Sequence, residues 1–431
     1  VTITEHSGSY KYDGTEKTVT GYTVESISNK LYTDKDFTFS GDATIKGTDA
    51  GSYNMELKAG DFTNTNKNFK KVSFVIVDGT LEIAKRSITL TSASAEKVYD
   101  GTALTNDTVT VSGDGFAEGE GAAYDVTGSQ TNVGESSNAF TYELNKGTKA
   151  GNYDIKQEKG TLKVTPVTSK VTVTITEHSG SYKYDGTEKT VTGYDVTEIS
   201  SQLYKEADFT FSGDATIKGT NAGRYDMKLK AGDFTNSNTN FTNVEFVIVD
   251  GTLEIAKRSI TITSADGEKV YDGTALTNDK VTVGVDGFAE GEGAAYDVTG
   301  SQTDAGESSN TFTYTLNKGT NADNYEITKV EGTLEVTPVA DEVVVTIKEH
   351  DGTAKYDGTE KKATGYDVKS ISNSLYHESD FRFNGTAEAK GTNAGSYDME
   401  VKPGDFTNIS KNFTNVTFVV EDGKLTIAKR D

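Results

Sequence analysis

Apolar and polar residues alternate along this chain in short bursts of strand length. Val1 and Ile3 alternate with Thr2 and Thr4, Phe37 and Phe39 flank Thr38, and Tyr53, Met55 and Leu57 alternate with Asn54 and Glu56. Val72, Phe74 and Ile76 precede Leu81 and Ile83. A period of two over about four to eight residues predicts strands with one face buried. The theme continues through Ile88 and Leu90, Val109 and Val111, Tyr124 and Val126, then Phe140, Tyr142 and Leu144, then Tyr153 and Ile155, and finally Leu162 and Val164. Asp78-Gly79, between two alternating runs, predicts a hairpin. Ile27 and Leu31, four apart within Val24 to Tyr32, have helical spacing and predict a helical turn or two.

The punctuation repeats. Tyr-Asp-Gly-Thr occurs five times, and its Asp residues (Asp13, Asp100, Asp185, Asp272 and Asp357) are 87, 85, 87 and 85 residues apart. Asp bonds its own backbone in turns and the following glycines, Gly14, Gly101, Gly186, Gly273 and Gly358, supply positive φ, so each motif reads as a structural turn. A fixed period marks an array. Two repeat types alternate: type A over 1–86, 171–258 and 343–431, and type B over 87–170 and 259–342. Residues 1–22 are identical to 173–194, and 115–131 to 287–303, so likeness between copies reflects duplication and marks no site. Many short strands with regular turns predict an all-β chain of five tandem, small, immunoglobulin-like β-sandwiches. The joints at 165–170 and 337–342 lack glycine, and Ala84-Lys85-Arg86-Ser87 joins strands almost directly. Stiff joints and modules of roughly 35–40 Å predict an elongated rod.

Composition removes whole classes of function. The formal net charge is −23, from 66 acidic and 43 basic residues. That opposes binding to nucleic acid or anionic membrane and favours a soluble, self-repelling monomer. There is no cysteine, hence no disulfide framework, and no apolar run long enough to span a membrane. The chain starts at Val1, which reads as a piece of something longer. The histidines are His6, His178, His350 and His377, too few and too scattered for a triad or a zinc site. No phosphate-binding loop or dinucleotide fingerprint is present, so no enzyme is expected. The best ion candidate is the lysine- and arginine-free run Val98 to Asn145. There Asp114, Glu118, Glu120 and Asp125, repeated as Asp286, Glu290, Glu292 and Asp297, lie on a glycine-rich stretch that could wrap calcium; the plainer reading is a solvated acidic loop, and no other cofactor is expected. Tyr22, Tyr32 and their copies Tyr194, Tyr204, Tyr366 and Tyr376 flank a variable loop where a glycan or protein could be read by stacking, although loop tips that differ between copies argue for simple surface drift.

Lys97-Val98-Tyr99-Asp100-Gly101-Thr102 followed by Ala150-Gly151-Asn152-Tyr153 makes type B resemble the YDG repeat of bacterial surface proteins. Type A resembles the related MBG repeat through Tyr12-Asp13-Gly14-Thr15, Asp49-Ala50-Gly51-Ser52-Tyr53 and Gly79-Thr80-Leu81-Glu82-Ile83. The resemblance implies a secreted or wall-attached bacterial adhesin without enzymatic activity. In that setting the repeats act as a stalk that projects an adhesive region, or themselves bind a host glycoprotein or glycan multivalently.

Overall fold

Alternating burial organises the longest strands. Val343–Glu349 buries Val343, Val345, Ile347 and Glu349 and leaves the residues between them half-exposed. The computed structural model describes residues 1–431, and its regular elements are β-strands and single 3₁₀ turns. No helix is long and apolar enough to cross a membrane. The chain divides into two compact units. The first comprises Val1–Thr176, Asp195–Gly213 and Leu229–Val249; the second comprises Glu177–Tyr194, Asp214–Lys228 and Asp250–Asp431. The division runs through the third sequence repeat.

In the first unit, Thr2–Glu5 pairs antiparallel with Tyr22–Ser26 and parallel with Val75–Val77. After His6-Ser7 the chain enters another sheet. Gly8–Lys11 runs parallel to Thr80–Ala84, which takes Gly51–Asn54 antiparallel on its other side. Two small ribbons, Lys17–Thr20 with Thr44–Gly47 and Phe37–Phe39 with Phe62–Asn64, complete the set. The first and last segments of this repeat therefore cross between sheets side by side.

A buried carboxylate fixes that crossing. Glu5 accepts the Leu57 N–H at 2.9 Å and the Gly79 N–H at 2.7 Å. A Cβ on Gly79 would sit 2.3 Å from the His6 carbonyl oxygen. Asp78-Gly79 is consequently not the expected hairpin, because Val75–Val77 and Thr80–Ala84 belong to different sheets. The helical expectation also fails. Tyr22–Ser26 is a strand, and Tyr32 N–H closes a turn on the Asn29 carbonyl while the Asn29 side chain accepts the Leu31 N–H. Leu31 is 81% exposed, so the spacing had no core to face.

Only Lys85 separates Thr80–Ala84 from the next strand, Arg86–Ser92. That strand pairs antiparallel with Val109–Gly113 and parallel with Tyr153–Glu158. Ala95–Val98 pairs parallel with Thr161–Thr165, which takes Gly134–Ser137, and Ala122–Val126 pairs with Phe140–Leu144. Ser92 stands where type A has Glu5: its hydroxyl donates to the Asn138 carbonyl and accepts the Gly160 N–H. The second unit repeats both arrangements, with Glu349 accepting from Val401 and Gly423 and Ser264 bridging Asn310 and Gly332. Buried residues of the first two repeats form one continuous core, from Ile3 through Tyr12 and Ala117 to Tyr153.

Candidate functional site

Each Tyr-Asp-Gly-Thr motif is a closed turn. Asp13 Oδ1 accepts the Thr15 N–H and hydroxyl at 2.9 and 2.6 Å, Lys17 grips Oδ2, and Gly14 has φ +80°. Asp185 and Asp357 use Lys189 and Lys361 in the same way, while Asp100 and Asp272 use Lys97 and Lys269 from the strand before. Gly101, Gly186, Gly273 and Gly358 have φ between 78° and 84°. The lysine, and then the threonine, holds each aspartate well below the usual carboxylate range.

The tyrosine of the motif does something composition could not reveal. Tyr12 donates to one oxygen of Glu120 and Tyr153 donates to the other. The two rings meet edge-on at 5.7 Å, and the Tyr153 oxygen accepts the Ala117 N–H at 2.9 Å. Burial, and next the bond to Glu120, pushes both phenols up to about 12. Around them, Lys11 pairs with Asp114 at 2.6 Å, and Arg86 donates to the carbonyls of Tyr12, Asp114 and Gly115. Asn152 Oδ1 accepts the Ala50 N–H at 2.8 Å, and its Nδ2 donates to Asp49 at 3.1 Å. Residues from the first A-type repeat thus meet residues from the first B-type repeat. In the second unit Tyr184, Glu292, Tyr325, Lys183, Asp286, Arg258, Asn324, Asn221 and Ala222 reproduce the set.

A second kind of joint follows each B-type repeat. Tyr99 packs edge-on against Phe241 at 5.7 Å, Val133 N–H donates to Asn240 Oδ1 at 2.8 Å, and Leu203 covers Gly101. Tyr271, Phe413, Ala305, Asn412, Leu375 and Gly273 do the same in the second unit. One rule covers all four: an asparagine followed by an aromatic residue seats against the motif tyrosine of the preceding repeat. Sequence reading missed the asparagines; the detectable signal was the recurrent Asn-aromatic pair at Asn152-Tyr153, Asn240-Phe241, Asn324-Tyr325 and Asn412-Phe413.

The calcium candidates do not converge. Asp114 is held by Lys11 and the Ser87 N–H, Glu120 by two tyrosines, and Glu118 and Asp125 are exposed. In the second unit Asp286 pairs with Lys183 and Glu292 with Tyr184 and Tyr325, and Glu290 and Asp297 are exposed. No group of three or more His, Asp or Glu side chains is placed to hold a metal ion. The acids of the glycine-rich stretch neutralise a lysine and clamp two phenols instead. The stacking candidates also turn inward: Tyr32, Tyr204 and Tyr376 are at most 4% exposed, each donating to a backbone carbonyl and an asparagine. Tyr22 packs on Phe39 and Phe62, and Tyr366 on Phe383 and Phe406. Among the histidines, His6 bonds the Thr20 carbonyl, and His350 bonds Asp367, which raises its pKa.

Residues 170–257 and 343–429 match the MBG domain family. These stretches coincide with the second and third A-type repeats. No curated protein sequence matches the chain. Among solved structures, the N-terminal eight Ig domains of the Down syndrome cell adhesion molecule are 10% identical, over 99% of this chain and 70% of that one, with a TM-score of 0.16. Drosophila N-cadherin EC1-4 is 9% identical over 78% of this chain and 99% of that one, at 0.17. The Bacillus anthracis TIE protein is 10% identical over 85% and 80%, at 0.15. At such scores the likeness carries no argument about partner or chemistry.

Proposed function

We propose, from the premise that this chain carries MBG domains at residues 170–257 and 343–429, that it is a non-enzymatic spacer region of a bacterial surface adhesin. MBG domains are tandem repeat modules typical of such adhesins and occur in bacterial surface proteins. Five modules, with the boundaries given by the sequence repeats, would hold an adhesive region away from the cell. The observation that carries this reading is where the motif chemistry goes. Tyr12, Tyr99, Tyr184 and Tyr271 each pack against an aromatic ring of the next repeat. The most distinctive residues of the repeats are thus committed to joining repeats, which suits a part whose task is to span distance.

One observation favours the second reading, multivalent binding by the repeats. Val75 and Val77, Val247 and Val249, and Val419 are 40–57% exposed, and they lie on edge strands of their sheets. An apolar edge recurring in each A-type repeat offers a repeated contact for a host glycoprotein. The test is binding of the chain to arrays of host glycans, mucins and extracellular glycoproteins at physiological salt, beside Val77→Lys/Val249→Lys/Val419→Lys. Specific binding lost in the triple variant establishes the repeats as the adhesive; no binding by either leaves the spacer reading standing. Binding that the triple variant keeps places the ligand elsewhere on the repeats.

A further inference from the structure

The residues that build each joint are also present where no repeat is seated. Tyr12 and Tyr184 are 3% exposed, because a B-type repeat covers each of them, whereas Tyr356, at the same position of the last A-type repeat, is 38% exposed. The groups around it match one by one. Lys355 stands where Lys11 and Lys183 pair with Asp114 and Asp286. Arg430 stands where Arg86 and Arg258 bind backbone carbonyls of the following repeat. Asn393-Ala394 stands where Asp49-Ala50 and Asn221-Ala222 receive Asn152 and Asn324. Lys355, Arg430, Asn393 and Ala394 are all exposed.

We infer that the face formed by Tyr356, Lys355, Asn393, Ala394 and Arg430 is a docking surface for a B-type repeat. Its occupant presents a carboxylate clamped between Tyr356 and a second tyrosine, an aspartate to Lys355, and an asparagine to the Ala394 N–H. Charge decides between candidate occupants. The tyrosines that receive an A-type repeat, Tyr99 and Tyr271, follow Val98 and Val270, which stay more than half exposed and ask for no acid, while Leu203 or Leu375 covers the motif glycine. The tyrosines that receive a B-type repeat follow Lys11 and Lys183, which need the aspartate a B-type repeat carries. Tyr356 follows Lys355 and so belongs with the second group. The competing occupant is the exposed Leu31, Asn68 and half-buried Phe69 of a second copy; it is the A-type contact set, which elsewhere in this chain meets motif tyrosines preceded by valine. The inference concerns a joint, not a ligand, and stands whether the repeats prove to be spacer or adhesive.

The test is hydroxyl-radical footprinting of the chain carrying a second copy of residues 87–170 in place of Asp431, beside the unextended chain. In the extended chain, Tyr356 oxidation is expected to fall to the level of Tyr12 and Tyr184, about the ratio of their exposures, 38% to 3%. Glu→Ala at the appended counterpart of Glu120 should restore part of the reactivity. If Tyr356 stays as reactive as in the unextended chain, the proposal is overturned, because the same segment already seats after Arg86. If instead Tyr356 in the unextended chain becomes protected as concentration rises, a second copy is the occupant, and the B-type assignment is also overturned.

Discussion

At the scale of single residues, two positions carry stored cost and gain. Val285 has φ 63° and is 88% exposed. It pairs with Ile260 as Gly113, at φ 82°, pairs with Ile88. A β-branched residue there crowds its own backbone, and no burial offsets the strain. Val285→Gly is expected to stabilise the second unit by about 1–2 kcal/mol, read as a rise in the urea midpoint. Glu349 is the opposite case, a carboxylate at 0% exposure whose two oxygens satisfy two backbone N–H groups. Glu349→Ala would leave both donors buried without partners, an expected loss of about 2–5 kcal/mol, and the same measurement reads it.

At the scale of elements, the sheet crossing is the feature on which each repeat depends. In type A it is closed by glutamate and glycine, in type B by serine and glycine, and the glycine admits no side chain. A Cβ on Gly160 would lie 2.5 Å from the Ser92 carbonyl oxygen. Gly160→Ala should therefore push Thr161–Thr165 off its register, and hydrogen exchange at Leu162 and Val164 should accelerate while that in Thr2–Glu5 stays unchanged. The crossing also explains why parallel pairing appears in a chain of short strands. Parallel neighbours need a long connection, and here the rest of the repeat supplies it.

At the scale of the whole molecule, the joints make neighbouring repeats share a core, and they titrate. Tyr12, Tyr153, Tyr184 and Tyr325 are pushed up to about 12 by burial, with Glu120 or Glu292 adding to it. In the unfolded chain a phenol ionises near about 10. Between those values the unfolded chain has lost protons that the folded chain retains, so stability falls as pH rises. These groups contribute no pH dependence below about pH 9. Melting temperature should be flat up to there as far as they are concerned and decline from about 10 toward 12. Tyr12→Phe/Tyr153→Phe/Tyr184→Phe/Tyr325→Phe, measured across the same range, should lose part of that slope.

What the sequence alone determined was local and periodic: alternation marks strands because a strand turns every second residue inward, Asp-Gly-Thr marks turns because those residues make their own hydrogen bonds, and the recurrence of Tyr-Asp-Gly marks an array. Tertiary structure decided everything that depends on which segments meet. Asp78-Gly79 carries a strong hairpin signal, yet Gly79 donates to Glu5, 74 residues away. Glu120 reads as one acid in an acidic loop, yet two tyrosines, one of them 108 residues distant, claim it. Asn152 and Asn240 recur before an aromatic residue, yet that pair names no partner, because an asparagine acquires a role only when another repeat brings it a donor and an acceptor. Hydrogen bonds between distant residues leave no period in a sequence, and in this protein they hold the repeats together.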